Sequence, residues 1–184
     1  MNKYEKKYQD YCQKNKIELR NFITEMRSTS SAINKIAIIK RSSKFIHNVL
    51  EATYNPYKQY HITSKTCKKN NELNGYKSFD FLNMETNQEL FLEDILYELK
   101  HRMVTGHDAI RYVNDFAKYS VYGEFIYRII DKDLDIRVGA STINKAVPGL
   151  IPTFKVALAQ EYKGKCDWND GWYASRKLDG VRCL

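Results

Sequence analysis

The stretch Thr86 to Ile130, TNQELFLEDILYELKHRMVTGHDAIRYVNDFAKYSVYGEFIYRII, decides the fold class. Its apolar residues recur at three- and four-residue steps, which places them on one face of successive α-helices. Thr86-x-x-Glu89 has the form of a capping box, whose two side chains satisfy free backbone N–H groups at a helix start. Phe91, Leu92, Ile95, Leu96, Leu99 and Met103 then make a broad apolar face. Thr105 can cap a second helix that turns Ala109, Ile110, Val113, Phe116 and Ala117 inward. A third runs from Val121 with Phe125, Ile126, Ile129 and Ile130. Connections this short demand compact, mostly antiparallel packing, so the fold is mainly α.

Working outward toward the N-terminus, Leu19, Phe22, Ile23 and Met26 give one helical face, and Ser28 to Ser31 break it. Ala32, Ile33, Ile36 and Ala37 share the inward face of the next helix. A serine of Arg41-Ser42-Ser43 can cap another, carrying Phe45, Ile46, Val49, Leu50 and Thr53 and stopping before Pro56. Residues 3–16 are dense in Lys, Tyr, Gln and Asn, and read as a solvated helix or a frayed leader. Residues 57–87 read as loop. There Lys65, Lys68, Lys69 and Lys77 are interleaved with Tyr57, Tyr60, His61 and Tyr76, a mixture that suits phosphate contact and equally suits a solvated connector.

Beyond Asp131 the pattern changes to Gly and Pro punctuation and short strand-like segments, with a turn of helix over Ser141 to Lys145 and a turn at Pro148-Gly149. This divides the chain into a leader (1–16), an all-α domain (17–132) and the start of an α+β domain (133–184). Trp172 to Ser175 reads as a strand leading into Lys177-Leu178-Asp179-Gly180-Val181-Arg182, with another strand starting at Val181.

Lys and Arg number 30 against 22 Asp and Glu, a formal net charge of +8, so a polyanion is the expected partner, nucleic acid first. Cys12, Cys67, Cys166 and Cys183 lie far apart with no C-x-x-C spacing, which argues against a zinc site or a disulfide framework and for a reducing compartment. His47, His61, His101 and His107 have no metal-ligand spacing either, so no resident metal site is expected. No apolar run is long enough to span a bilayer, and the N-terminus lacks the apolar core of a signal peptide. The expectation is an intracellular, cytoplasmic protein with no membrane partner.

The terminal motif carries chemistry. A lysine amine is nucleophilic only when neutral, and its ordinary pKa of about 10.4 keeps it protonated near neutral pH. Burial beside other cations, including a metal ion arriving with a nucleotide, would release the neutral form. Lys177 could then attack the α-phosphate of a nucleoside triphosphate. Gly180 permits a tight turn, Asp179 can fix that turn or orient the lysine, and the planar fork of Arg182 suits a phosphate or ribose oxygen. Taken alone, Lys-x-Asp-Gly-x-Arg is equally compatible with a charged surface hairpin, because Asp-Gly is a common turn pair.

The stretch DLDIRVGASTINKAVPGLIP, Asp133 to Pro152, resembles the opening of the adenylation domain in ATP-dependent DNA ligases of the T-even bacteriophage type. The likeness continues through Ala157-Leu158-Ala159 and ends on Lys177 to Cys183, which is similar to the nucleophile motif of that family. Thr53-Tyr54, Thr105-Gly106 and the helical organisation resemble its DNA-binding domain more loosely. The resemblance implies that Lys177 is the adenylated lysine, that Arg182 contacts AMP, and that the helical domain grips nicked duplex DNA. It implies ATP and Mg2+ as cofactors and a role in DNA replication, repair and recombination. Ser175 stands where these ligases usually carry Glu or Gln to recognise adenine, and is the remaining candidate ATP contact at that place. The later motifs of the family, with their metal- and phosphate-binding residues, are not in these 184 residues, so the isolated chain is expected to be inactive without a separate chain carrying the rest. Two further readings stay open: a DNA-binding half without activity of its own, and an RNA ligase or capping-type nucleotidyltransferase, which share the Lys-x-Asp-Gly core.

Overall fold

The computed structural model describes residues 3–70, 92–123, 125–153 and 169. The chain divides into two compact units, 1–153 and 154–184. Among the described residues there are eight α-helices and no strand. They are α1 (Lys3–Ser28), α2 (Ala32–Arg41), α3 (Lys44–Tyr54), α4 (Ser64–Lys69), α5 (Leu92–Lys100), α6 (Gly106–Tyr119), α7 (Phe125–Ile130) and α8 (Ala140–Ala146). In the first unit α1 packs on α2 and α3, α3 on α7, α4 on α6 and α7, and α2 on α8.

The core is built from the faces that helical spacing selects. Leu19, Phe22, Ile23 and Met26 of α1, Ile46, Val49, Leu50 and Thr53 of α3, Leu92, Ile95, Leu96 and Leu99 of α5, Ala109, Ile110, Val113 and Phe116 of α6, and Ile126, Ile129 and Ile130 of α7 are all buried. Ser43 caps α3 as its position suggests, its hydroxyl accepting from the Ile46 N–H at 3.4 Å. Tyr122 fills the space between α3 and α6: its ring stacks on Phe45 and on Phe116, with centroids 6.1 and 6.4 Å away. Its hydroxyl pairs with Asn15 of α1, which is itself buried. Helix α1 therefore runs unbroken through residues 3–16, and its inward face takes in Cys12 and Asn15, ahead of Ile17, which is exposed.

Four expectations are corrected. First, α2 buries Lys35, Ile38 and Ile39 and leaves Ile33 79% exposed, with Ala32 and Ala37 exposed too. The run AINKIAII has apolar residues at every helical phase, so periodicity does not choose a face; contact with α1 and α8 does. Second, α5 ends at Lys100 and Met103 is exposed, because the chain reverses at Arg102. Third, the 57–87 region contains α4, capped by Thr63, whose hydroxyl accepts from the Thr66 N–H. Fourth, the strand-like segments just after Asp131 are absent among the described residues: 131–153 is a turn, α8 and a loop. That segment packs on the helices of the first unit through Leu134, Ile136, Ile143 and Ile151. The Thr86-x-x-Glu89 box lies outside the described residues.

Candidate nucleic-acid interface

Helix α4 has one buried residue, Cys67, so its other side chains are free to face outward. Its seat is polar. Asn114 of α6 donates to the Cys67 carbonyl at 3.0 Å and accepts from the Tyr127 hydroxyl of α7 at 2.9 Å. At the other end the Asp131 carboxylate accepts from the Ser64 N–H at 2.8 Å and from the Ser64 hydroxyl, placing a negative charge at the helix start where the dipole favours it. Lys65, Lys68 and Lys69 are thereby presented together on one short, anchored helix, all exposed. The Lys68 ammonium lies 4.8 Å from the Tyr127 ring centre, and the Lys65 and Lys69 side chains have no hydrogen bond or ion pair among the described residues. Lys77 lies outside the described residues.

The second cationic feature grows from the end of α7. The Lys132 N–H donates to Ile129 O and the Asp133 N–H to Arg128 O, the pairing of a Schellman stop. Glycine usually takes the left-handed position of that motif; here Lys132 does, at φ 62°. Its side chain turns back to donate to the carbonyls of Ala52 (3.0 Å) and Asn55 (3.3 Å) at the end of α3, and lies 4.4 Å from the Tyr60 ring centre. Burial, helped by the nearby Lys58, pushes its pKa down to about 8. Helix α5 ends in the same way: Arg102 and Met103 donate to Leu99 O and Glu98 O, and Arg102 holds φ 54°. The Arg102 guanidinium donates to His61 Nδ1 at 3.1 Å.

Past Lys132 the backbone turns left-handed twice more, at Asp135 (φ 55°) and Arg137 (φ 53°). Each such residue costs about 1–3 kcal/mol, and fully burying Leu134 and Ile136, at about 1.5–3 kcal/mol each, is of the size needed to offset it. Arg27 of α1 pairs with the Asp135 carboxylate and donates to its carbonyl at 3.0 Å. Lys35 of α2 donates to the carbonyls of Ile136 (2.8 Å) and Arg137 (3.2 Å). The Arg137 side chain itself is exposed and has no hydrogen bond or ion pair among the described residues. It precedes Gly139, the start of α8, where an added Cβ would meet nothing within 4 Å.

The sequence pattern names the lysines of α4 as suited equally to phosphate contact and to a solvated connector, and does not name Arg137. The Arg-x-Gly spacing before a helix was its only signal. Lys177, Asp179, Gly180, Arg182 and Ser175 lie outside the described residues. No group of three or more His, Cys, Asp or Glu among the described residues is placed to hold a metal ion, and no described helix is long and apolar enough to cross a membrane.

No protein-family profile matches the chain. The DNA ligases of Enterobacteria phage T4 and Enterobacteria phage T6 are each 29% identical to it over 171 residues, 88% of this chain and 33% of the relative. The chain thus spans about a third of the length of the curated relatives it matches. Along most of its length it is similar, distantly but specifically, to the DNA ligases of the T-even phages, and its described helices suit a ligase-like protein.

Proposed function

We propose that the chain is part of an ATP-dependent DNA ligase, in which the helical unit holds duplex DNA at a nick and Lys177 carries the nucleotide. The supporting observation is the similarity to two phage DNA ligases over 88% of the chain. The cations Lys65, Lys69 and Arg137, exposed and unpaired among the described residues, fit the same reading, since a duplex backbone is bound by neutralising its phosphates. In this reading the neutral Lys177 amine attacks the α-phosphorus of ATP. An N–P bond forms, the bond to the bridging oxygen of pyrophosphate breaks, and the amine gives up a proton. The AMP then passes to the 5′-phosphate of the nick, and the neighbouring 3′-hydroxyl displaces it as the phosphodiester forms. Arg182 and Ser175 lie against the nucleotide, Asp179 and Gly180 shape the turn, and Mg2+ accompanies the ATP.

The test is incubation with ATP labelled at the α-phosphate, followed by denaturing electrophoresis, with Lys177→Ala as control. A label on the wild-type chain that the variant lacks is the expected result, either alone or on addition of a chain carrying the rest of a ligase. Duplex binding with no label under either condition would reduce the protein to a DNA-binding module. A label from GTP in preference to ATP would move it to the capping-type enzymes.

A further inference from the structure

Lysine is seldom buried, because its charged end loses water unless it finds partners. Lys35 is 5% exposed, and the partners it finds are two consecutive carbonyls, Ile136 O and Arg137 O, about a hundred residues further along the chain. Two successive carbonyls can face one donor only if the backbone between them is turned, and the left-handed conformation of Arg137 provides that turn, with Asp135 left-handed just ahead of it. The same turn that points these carbonyls inward at Lys35 leaves the Arg137 side chain outside. Without a donor at this place the inward carbonyls would be buried and less well satisfied, at about 1–3 kcal/mol, comparable to the strain the loop already carries. The loop would then have reason to relax to an ordinary extended path.

We propose that Lys35 is a positioning residue for DNA binding: from inside α2 it holds the left-handed loop 135–137 by two carbonyls and so fixes the outward projection of Arg137 onto a phosphate. The inference rests on the proposed grip of this unit on duplex DNA. It differs from a general packing role because it predicts a coupling between an interior lysine and one surface arginine. Lys65 and Lys69 sit on α4, which Asp131 holds through Ser64 and Asn114 through Cys67, and should not share that coupling.

The experiment uses the full chain and a short nicked duplex, with binding followed by fluorescence anisotropy, for wild type, Lys35→Met, Arg137→Ala and the double variant. Lys35→Met keeps the apolar stem and removes the donor. Arg137→Ala is expected to weaken binding about 3- to 10-fold, the size of one phosphate interaction. Lys35→Met should weaken it by a similar factor, and the double variant by no more than either single. The weakening caused by Lys65→Ala should be the same with and without Lys35→Met. Additive effects of Lys35→Met and Arg137→Ala would overturn the proposal. Trypsin cleavage after Arg137, well under the melting temperature, provides a readout independent of DNA: it should accelerate in Lys35→Met, and an unchanged rate overturns the clamp. If the wild type fails to bind duplex at low salt, the DNA reading falls and the role of Lys35 toward DNA falls with it, while the trypsin comparison still decides whether Lys35 holds the loop. Should Lys35→Met fail to fold by circular dichroism, Lys35→Gln, whose shorter donor cannot span both carbonyls, carries the same comparisons.

Discussion

Arg102 and Lys132 occupy the same place in two different helix endings, and both reach for the same loop. Each takes the left-handed position after its helix, α5 or α7, where glycine is usual. Arg102 meets His61, and Lys132 meets Ala52, Asn55 and the ring of Tyr60. The turn that follows α3 is thus held from two sides by cations whose backbones are strained to deliver them.

The two clamps are unequal, and glycine substitution separates them. Replacing either residue by Gly relieves about 1 kcal/mol of left-handed strain. Arg102→Gly removes only an exposed interaction, so its stability to urea should match or exceed wild type by up to about 1 kcal/mol. Lys132→Gly removes two hydrogen bonds from a half-buried cation and should be destabilised by about 1–2 kcal/mol net. Equal destabilisation of the two variants would show that the two clamps have the same weight.

Stability should pass through a maximum in mild alkali. Lys132 titrates near 8 in the folded protein and near 10.4 when unfolded, so between these values the unfolded chain binds more protons and stability rises with pH. Burial raises the hydroxyls of Tyr60, Tyr112 and Tyr122, and pushes Tyr54 up to about 12. Their contribution is complete below their unfolded value of about 10 and is lost as pH climbs through their folded values. Melting temperatures should therefore climb between about pH 8 and 10 in wild type relative to Lys132→Met, then fall in both. Parallel curves for the two proteins from about pH 8 to 10 would remove Lys132 from the account.

The orientation of α2 can be checked with two isoleucines. Ile39 is fully buried, and Ile39→Ala should cost about 2–5 kcal/mol in chemical unfolding. Ile33 points to solvent, and Ile33→Lys should stay within about 0.5 kcal/mol of wild type. A severe destabilisation by Ile33→Lys would mean that α2 is turned the other way.

The lysines of α4 should register in the salt dependence of DNA binding. Removing Lys65 and Lys69 together should reduce the slope of log K against log salt by about 2, one for each phosphate no longer neutralised, whatever the duplex sequence. Lys68→Ala, which also gives up the Tyr127 ring, should in addition lower stability by about 0.5–1 kcal/mol. An unchanged slope in the Lys65, Lys69 double variant would take α4 off the interface.

What could be read in advance follows from where the information lies. Val113, Phe116 and Ile129 sit at spacings that admit only one face, and all three are buried. In α2 every phase is apolar, so the choice of Ile38 and Ile39 over Ile33 belongs to the neighbouring helices, and Lys35 went inward against its type to meet carbonyls that no local pattern announces. Helix α4 escaped notice because Cys67 is its one apolar residue. The left-handed turns at Arg102, Lys132 and Arg137 carry no glycine to advertise them. For the proposed reaction the reverse holds: Lys177 and Arg182 are legible as a motif and lie outside the described residues, while among the described candidate cations Lys65, Lys68 and Lys69 stand out in the sequence pattern and Arg137 does not.

The loop from Asp131 to Arg137 has a consequence for the order in which the protein can be made. Its bonds span long stretches of chain: 67 residues to Ser64, 77 and 80 to Asn55 and Ala52, 101 to Lys35, and 108 to Arg27. Contacts of such separation form late, because the intervening chain must close first. During synthesis, α1 to α4 emerge with these partners still untranslated, and they complete their polar pairing only when residues 131–137 leave the ribosome. Until then the first helices form a provisional assembly, and a pause in translation ahead of Asp131 would prolong the exposure of its unfinished surfaces to chaperones and proteases.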